Sequence, residues 1–402
     1  MELRGDANRI VVDGEAANTW ADLGGGAALP DPVAVLTDDP RAAFAAVRGH
    51  AAGGGELLLV AASRADDEMR AELRAAGFHL ADGHTVQSPT QPRPAEPDRV
   101  WILTSGSTGR PKRVGHTLAS LATVGTEQPA RTWLCPYSPG TYAWWQLAML
   151  SLTQPGQHLV AVSADRLVDW PEIAVKDGVT AVSGTPTFWR QTLFRSGAEL
   201  AALPLEQVTL GGEPVDQAIL DRLRETFPRA RVSWIYASSE VGAAIVVHDG
   251  RAGFPRRWLN RAAPGRPLLS VEGGELVVRS PYAGTSLDGP VHTGDRVELT
   301  ADRVLIIGRR GSDEINVGGS KISAGVVRDT LQEHPSVAWA RVRARRAPIV
   351  GHVVVADVVT DGTVDVATLT QWAAGRLPEY GVPRRFTVLE EIPVKETLKS
   401  DV

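Results

Sequence analysis

Residues 102–112 of this chain read Ile-Leu-Thr-Ser-Gly-Ser-Thr-Gly-Arg-Pro-Lys, so hydroxyls, glycines and a lysine follow an apolar run. Glycines let backbone N–H groups approach an anion closely, hydroxyls add donors, and a lysine adds a mobile positive charge. This segment differs from the Walker P-loop. In the Walker loop a Gly-Lys-Ser/Thr element begins a helix, whereas here Pro111 precedes the lysine and disfavours a helical conformation at Arg110. The pattern predicts a phosphate-binding loop rather than a plain polar turn. Its members are Thr104, Ser105, Gly106, Ser107, Thr108, Gly109 and Lys112.

Three later segments carry polar residues at positions suited to a nucleotide. Gly211-Gly212-Glu213 and the segment from Tyr236 to Glu240 each follow an apolar, strand-like run. Open α/β sheets bind ligands at the carboxyl ends of their strands. A carboxylate such as Glu240 suits Mg²⁺, and the two oxygens of Asp295, in His-Thr-Gly-Asp, can accept two hydroxyl donors at once.

Taken in this order, the segments resemble the adenylate-forming superfamily of acyl-CoA synthetases, carrier-protein adenylation domains and luciferases, over roughly residues 100–402. The resemblance implies an α/β fold. It has a large multi-subdomain N-terminal domain, with parallel sheets and a small β-subdomain, and a small mobile α+β C-terminal domain. The implied boundaries are 1–308 for the large ATP- and substrate-binding domain and 313–402 for the small one, with the hinge at about 309–313. The family usually places more chain before its phosphate loop, so we expect a short member with a reduced N-terminal region.

The resemblance also implies roles for single residues in nucleotide binding. Ser239 would bond the α-phosphate, and Glu240 would hold Mg²⁺. Asp295 would accept both ribose hydroxyls, and Arg309 would contact the ribose or a phosphate at the domain junction. The residues implied to line the adenine pocket or the neighbouring acyl pocket are Gly211, Gly212, Glu213, Tyr236 and Ala237.

The C-terminus matches the family's terminal Pro-x-x-x-x-Gly-Lys element. Counting from Pro393 places Lys399 in the catalytic position, where an ammonium group would bridge the substrate carboxylate and the α-phosphate. Leu398 stands where the family has glycine, so Lys395 remains an alternative candidate for the catalytic lysine. The non-functional interpretation of this segment is a disordered basic tail. In a second conformation, Gly319 would leave room for a pantetheine arm and Lys321 would meet CoA phosphates, or remain a solvated lysine.

Residues in two segments are predicted to line the substrate pocket: Tyr137, Tyr142, Trp145, Thr185 and Pro186. Their aromatic character favours a flat or apolar acid, although a tryptophan at helical spacing also fits a plain core position. No aspartate stands in the first segment, where amino-acid-activating relatives hold the α-ammonium group. An aryl acid, or another acid without an α-amino group, is therefore expected.

Composition restricts the class of protein further. The 402 residues are 43% hydrophobic and 22% charged with a net charge of −5, which is typical of a globular protein without a nucleic-acid or membrane surface. The single cysteine, Cys135, excludes an internal disulfide and fits a reducing cytoplasm. Only five of the 42 basic residues are lysines, and all but Lys176 fall in the segments described above.

Alternating strand and helix patterns are expected to position these residues on parallel sheets. The first are a strand at Val33–Leu36, a helix from Pro40 to about Val47, an apolar run at Glu56–Ala61 and a helix at Asp66–Ala76. Residues 86–98, with four prolines, predict an extended linker. Later strands are predicted at Leu159–Val162, Val179–Val182, Val208–Leu210 and Val232–Ile235, with a helix at Asp216–Thr226.

Downstream, residues 274–307 read as short strands of a β-subdomain. The small C-terminal unit is predicted to contain a helix at Ala324–His334, strands at Val337–Val342 and Gly351–Val358, a helix at Val364–Leu377 and a strand at Arg385–Val388.

The function expected from these residues is ATP- and Mg²⁺-dependent adenylation of a carboxylic acid. The acyl group would then pass to a thiol of CoA or of a phosphopantetheine carrier protein. Two alternatives stay open at this point. One is activation of another oxyanion, such as nitrite, for diazotisation of an aromatic amine. The other is a nucleotide-binding relative without catalysis.

Overall fold

A computed structural model describes residues 2–15, 17–24, 29–104, 112–285, 287, 289–309, 313–348, 351–395 and 397–400. Its strands in chain order are β1 Arg9–Val12, β2 Asn18–Thr19, β3 Val33–Leu36, β4 Glu56–Val60, β5 His79–Asp82, β6 Thr85–Gln87, β7 Arg99–Thr104, β8 Lys112–His116, β9 Arg131–Cys135, β10 Gln157–Ala161, β11 Ala181–Gly184, β12 Gln207–Gly211, β13 Arg231–Ser238, β14 Gly242–Val247, β15 Phe254–Pro255, β16 Leu268–Glu272, β17 Glu275–Arg279, β18 Val291–Leu299, β19 Arg303–Arg309, β20 Glu314–Val317, β21 Ser320–Ser323, β22 Val337–Ala347, β23 Gly351–Thr360 and β24 Arg385–Leu389.

The α-helices are α1 Pro40–Gly53, α2 Asp67–Ala75, α3 Leu118–Leu121, α4 Tyr142–Thr153, α5 Trp170–Lys176, α6 Pro186–Leu200, α7 Gln217–Thr226, α8 Ala324–Gln332 and α9 Val366–Ala374. Each helix and strand named from the sequence is present, with its ends shifted by a few residues. No helix in the described part of the chain is long and apolar enough to cross a membrane.

Two sheets form the framework of the larger part of the molecule. One has the strand order β14-β13-β12-β11-β9-β10-β1-β2, and the other β6-β5-β3-β4-β7-β8. Within the first sheet, β11, β12 and β13 are adjacent and parallel. Their carboxyl ends therefore meet at one edge, and the turns that follow them lie side by side there.

Local sequence explains where the helices at this edge begin. Thr185 caps α6 by accepting a hydrogen bond from the N–H of Phe188, and Pro186 occupies the first helical position. Asp216 caps α7 in the same way, accepting from Ile219 N–H at 3.1 Å. Local caps thus help to fix the residues that follow β11 and β12.

The rest of the chain forms a five-stranded β-subdomain, β15-β19-β18-β17-β16, and a smaller α+β unit. That unit pairs β22, β23 and β24 beneath α8 and α9, and it carries the β20–β21 hairpin. It buries an apolar cluster of its own, which includes Leu331, Val358 and Leu369. The predicted architecture is confirmed. The exact hinge stays a prediction, because residues 310–312 lie outside the described part.

The segment predicted as an extended linker is anchored instead. The buried carboxylate of Glu56 forms an ion pair with Arg93 and accepts the N–H of Glu96 at 2.7 Å. Trp101 also donates to Glu56, at 2.7 Å. A buried carboxylate needs partners of this kind, so the proline-rich segment lies against the six-stranded sheet.

Candidate active site

The predicted phosphate-binding loop lies between two antiparallel strands. Thr104 ends β7 and Lys112 begins β8, and the two residues are direct cross-strand neighbours. The five loop residues between them named above, 105 to 109, lie outside the described residues. The strand pair therefore fixes the position of both ends of this segment.

His116, at the end of β8, connects the phosphate-binding segment to the turn that carries Glu240. Its Nε2 lies 2.7 Å from the backbone carbonyl of Ser239, and its Nδ1 lies 3.0 Å from Ser120 Oγ. A carbonyl oxygen only accepts, so Nε2 carries the proton. Burial lowers the pKa of His116, which favours the neutral ring. The histidine thereby fixes the Ser239–Glu240 turn beside β8.

Glu240 is half-buried in the turn between β13 and β14. The hydroxyl of Ser238 accepts the N–H groups of Glu240 and Val241, each at 3.3 Å, and shapes the turn. Within the described ranges the Glu240 carboxylate has no hydrogen bond or ion pair, and no group of three metal-ligating side chains is present. A single unpaired carboxylate fits Mg²⁺, which commonly takes one or two carboxylates and completes its shell with phosphates and water.

Tyr236, predicted to pack near adenine, meets Asp295 and Arg309, which were predicted to contact the ribose or a phosphate. The hydroxyl of Tyr236 donates to Asp295 Oδ2 at 2.5 Å, and Arg309 Nε lies 3.4 Å from Oδ1. Burial raises the pKa of Asp295, while its two partners act in the opposite direction. Both carboxylate oxygens thus face donors, the arrangement that a ribose diol requires.

Lys399 lies against the glycine turn that follows β12. Gly212 has a φ of +83°, and a Cβ there would lie 3.2 Å from Lys399 Cε. Lys399 is an exposed residue, but protein atoms around its ammonium group desolvate it and lower its pKa; the charge of Glu213 raises the pKa and that of Arg309 lowers it further. The ammonium group is therefore within electrostatic range of both the glycine turn and the Asp295–Arg309 pair.

Leu398 adopts a backbone conformation that leucine rarely takes. Its φ is +60°, and its side chain is 5% exposed in the main core cluster. Its carbonyl accepts the hydroxyl of Thr185, and its N–H donates to Lys395 O at 2.8 Å. A left-handed residue other than glycine costs about 1–2 kcal/mol, so packing and hydrogen bonds hold Leu398 in place.

Because φ is positive at Leu398, a glycine variant there should be more stable than an alanine variant, the reverse of the usual order of stability in a helix. We expect Leu398→Gly to be more stable than Leu398→Ala by about 1 kcal/mol, because both lose the side chain but only glycine relaxes at positive φ. Leu369, buried within helix α9, is the matched control, and there alanine should be the more stable variant. Urea unfolding of the four variants measures this. Equal stability of the two Leu398 variants contradicts it.

A cleft of about 720 Å³ lies on the other side of Leu398. Tyr137, Trp170, Phe188 and Lys395 are among its lining residues. Tyr137 is 8% exposed, and its hydroxyl lies 3.1 Å from Ser183 Oγ. Of the five residues predicted to line the substrate pocket, Tyr137 is the one that lines this cleft.

The other four predicted pocket residues have different surroundings. Trp145 is fully buried and packs edge-on against Trp144 at 5.3 Å, which is a core environment. Tyr142 lies 6.1 Å from the ring of His116. Thr185 and Pro186 start α6 beside the C-terminal segment. Their contact with a substrate stays a prediction.

Gly319 and Lys321 lie on the exposed β20–β21 hairpin of the small unit. Lys321 Nζ is 2.7 Å from Glu314 Oε1, within the same hairpin. In this conformation the structure gives neither residue a contact with Lys399 or Asp295 among the described residues. Their predicted role belongs to a different domain arrangement and stays a prediction.

Several site residues have no signal in the sequence. Thr187 and Trp339 lie within hydrogen-bond distance of Ser400, the residue after Lys399, and all three are buried. Arg190 on α6 pairs with Asp216 and also donates to the carbonyl of Ala338 at 3.1 Å. No motif marks these residues, because each acts through a partner 26 to 213 positions away.

Comparison with known proteins identifies the family. The AMP-binding enzyme family model matches residues 31–283, and the model of the AMP-binding enzyme C-terminal domain matches residues 328–399. The chain therefore belongs to the AMP-binding enzyme family, as the motifs predicted.

Individual relatives share a modest fraction of their sequence with this chain. A 2-succinylbenzoate–CoA ligase of Bacillus cereus is 28% identical over 73% of this chain and 66% of its own length. A dimodular nonribosomal peptide synthase of Bacillus subtilis is 25% identical over 75% of this chain, which spans 14% of that protein. The crystal structure of the anthranilate CoA ligase AuaEII with anthranoyl-AMP superposes with a TM-score of 0.76, covering 99% of this chain and 93% of that one at 15% identity. That structural likeness confirms the fold.

Proposed function

We propose that this protein activates a carboxylic acid with ATP and Mg²⁺, forming an acyl adenylate and pyrophosphate, and then transfers the acyl group to a thiol. The observation that carries the proposal is the position of Lys399. It lies beside Gly212 and within electrostatic range of Arg309, which pairs with Asp295. The C-terminal segment would thus supply a cation at the edge of the sheet where the proposed nucleotide-binding residues lie.

The chemistry follows from the charges that must come together. The carboxylate attacks the α-phosphorus, a P–O bond forms, and the bond to pyrophosphate breaks. Two anions approach each other in this step, and the Lys399 ammonium group offsets their repulsion. Ser239 would donate to the α-phosphate, and Thr104, Lys112 and the loop between them would hold the triphosphate.

Metal and nucleoside contacts complete the proposed site. Glu240 would hold Mg²⁺, which neutralises phosphate charge and stabilises the leaving group. Asp295 would accept the ribose hydroxyls in place of Tyr236 and Arg309, and Tyr236 would then pack against adenine together with Ala237, Gly211 and Gly212.

An aryl acid, or another acid without an α-amino group, is the proposed substrate. The cleft beside Tyr137 and Phe188 presents aromatic and apolar walls, which suit an apolar acyl group. CoA is the first acceptor to test, because a CoA ligase is among the relatives, and a carrier protein is the second. Cys135 is buried, with a thiol pKa raised by burial to about 12, and we therefore assign it no role as a nucleophile.

Acid-dependent pyrophosphate exchange tests the proposal. Aryl, fatty and amino acids are each supplied with ATP and Mg²⁺, and AMP release is then measured with and without CoA. We expect exchange with at least one aryl or fatty acid and thiol-dependent release of AMP. AMP release with nitrite alone indicates the diazotising alternative. Absence of turnover across the whole panel supports the non-catalytic one.

Asp295→Ala is expected to weaken ATP binding about 10–100-fold, because charged hydrogen bonds contribute about 1.5–3 kcal/mol. Isothermal titration with ATP and Mg²⁺ measures the change. Asp302→Ala is the control, since this carboxylate forms an exposed pair with Arg251 at 3.0 Å in the same β-subdomain. Equal affinity of the Asp295 variant and the wild type contradicts the ribose assignment.

A further inference from the structure

Ser400, the residue after Lys399, lies in a buried hydrogen-bond network. Its backbone N–H donates to Glu213 Oε1 at 2.9 Å. Its hydroxyl lies 2.9 Å from Thr187 Oγ1 and accepts the indole N–H of Trp339 at 3.1 Å. Ser400 is 8% exposed, and Thr187 and Trp339 are almost completely buried. Three elements of the fold therefore meet at one C-terminal residue.

The direction of each hydrogen bond in this network is determined. Thr187 Oγ1 donates to Glu213 Oε1 at 3.0 Å, since a carboxylate only accepts. The hydroxyl proton of Ser400 must therefore point to Thr187. The chain of donors runs from Trp339 through Ser400 and Thr187 to the carboxylate of Glu213. Chains that end on a charged acceptor are among the stronger hydrogen-bond networks.

Glu213 also accepts the backbone N–H of Thr187 at 2.9 Å. That N–H lies in the first turn of α6, where helical N–H groups lack partners within the helix. The carboxylate thus satisfies three donors, two from Thr187 and one from Ser400. It belongs to the same turn as Gly212, beside which Lys399 lies.

Lys399 is consequently held from both sides. Before it, the carbonyl of Leu398 accepts the hydroxyl of Thr185. After it, Ser400 is held by Glu213 and Thr187. The carbonyl of Lys399 itself accepts the N–H of Lys395 at 2.8 Å, which closes the segment into a compact loop. Both anchoring points on the large domain belong to turns that follow adjacent parallel strands.

We propose that Glu213, Thr187 and Ser400 are positioning residues that hold Lys399 in register for the adenylation step. The proposal rests on the function proposed above and gives Glu213 a different role from the nucleotide contact that the sequence suggested. Glu213 acts on the reaction through Ser400 and Lys399. Trp339 lies on β22 of the small unit, so its hydrogen bond to Ser400 depends on docking of that unit.

Two variants and a matched control test the proposal in the full-length protein. Glu213→Gln replaces an accepting oxygen by an N–H₂ group, and Ser400→Ala removes the hydroxyl that joins Trp339 to Thr187. Thr153→Val is the control, because Thr153 is a buried threonine on α4 whose hydroxyl donates to the carbonyl of Met149 at 2.6 Å, outside both this network and the cleft. Thermal unfolding verifies that each variant is folded.

The kinetic measurement is pyrophosphate exchange with the acid of the panel that the wild type uses fastest. Misplacing a catalytic group by about 1 Å costs about 10²-fold, so we expect Glu213→Gln to lower kcat by about that factor. Ser400→Ala should lower kcat about 3–10-fold, as expected for loss of a neutral hydrogen bond. The KM for ATP should stay within about twofold in both variants. A raised KM for ATP with unchanged kcat in Glu213→Gln overturns the proposal in favour of a nucleotide contact.

Hydrogen–deuterium exchange of the C-terminal peptide gives a readout independent of any acid. Glu213→Gln and Ser400→Ala should exchange the backbone amide of residue 400 faster than the wild type, and Thr153→Val should not. Unchanged amide exchange and unchanged kcat in both variants overturn the positioning role while the proposed function stands. Absence of turnover in the wild type with every acid overturns the proposed function, and the positioning role with it.

Discussion

Lys399→Ala is expected to slow acid-dependent pyrophosphate exchange by about 10²–10³-fold, the range seen when a charge-stabilising group is removed from a transition state. The affinity for ATP should change little, because the proposed ribose and magnesium contacts are made by Asp295 and Glu240. The loss should therefore appear in kcat, while the KM for ATP stays close to that of the wild type.

Lys395→Ala is the matched control, since the two lysines lie in the same C-terminal loop. Lys395 lines the cleft beyond Leu398, whereas Lys399 lies beside Gly212. We expect the Lys395 variant to retain exchange within a few-fold of the wild type. The opposite pattern, with loss in the Lys395 variant alone, transfers the catalytic role to Lys395.

The same lysine predicts the alkaline side of the pH profile. Partial desolvation of the ammonium group lowers the pKa of Lys399, and the step needs the protonated form. Activity should therefore decline as pH rises through a value below that of an ordinary lysine. Stopped assays of exchange across pH 7 to about 10.5, the usual lysine pKa, locate this limb. A flat profile over that range contradicts the need for a protonated Lys399.

Part of the site was predictable because its geometry is set by strand ends. Tyr236 lies near the end of β13 and Asp295 lies in β18 of the β-subdomain, and the structure joins them at 2.5 Å. The turn after β12 was likewise predictable from two glycines after an apolar run. For the turns after β11, β12 and β13 local patterns are sufficient, since adjacent parallel strands have their carboxyl ends at the same edge.

The rest depends on contacts that local patterns do not contain. Thr187 and Ser400 are common polar residues, and their partners are 26 to 213 positions away in the chain. The sequence singled out the glutamate of the Gly-Gly-Glu turn as a nucleotide-site residue, but its hydrogen bond to the N–H of Ser400 joins residues 187 positions apart. Helix α1 ends at Gly53, whereas the sequence predicted an end near Val47. The last turns of the helix were missed because they are largely exposed and add no apolar periodicity.

The interface that holds the small unit in place has a buried ion pair at its centre. Arg190 on α6 and Asp216 at the start of α7 are both almost completely buried. Arg190 also donates to Ala338 O at 3.1 Å, and Gln332 donates to Asp216 at 3.3 Å and accepts the N–H of Ala340 at 3.2 Å. The pair thus joins the large domain to α8 and β22 of the small unit.

Charge pairing maintains this arrangement. Burial alone would raise the pKa of Asp216, but the charge and hydrogen bond of Arg190 lower it below its usual range. Asp216 therefore remains ionised inside the interface, where an unpaired charge is unfavourable.

Arg190→Ala is expected to destabilise the docked arrangement by about 3–5 kcal/mol, because it leaves the Asp216 carboxylate buried without its partner. Arg195→Ala is the matched control on the same helix. Its guanidinium lies 3.4 Å from Glu391 in the small unit, but both side chains are exposed, and such pairs contribute about 0–1 kcal/mol. The two arginines therefore compare a buried and an exposed ion pair across one interface.

Urea unfolding and trypsin cleavage at the proposed hinge, after Arg309 and Arg310, measure the difference. Arg190→Ala should shift the unfolding midpoint downwards and accelerate hinge cleavage, and it should also lower pyrophosphate exchange because Lys399 docks less often. Combining it with Asp216→Ala should recover part of the lost stability, since no unpaired charge then remains buried. Equal effects of the two single arginine variants would show that burial of the Arg190–Asp216 pair does not control docking of the small unit.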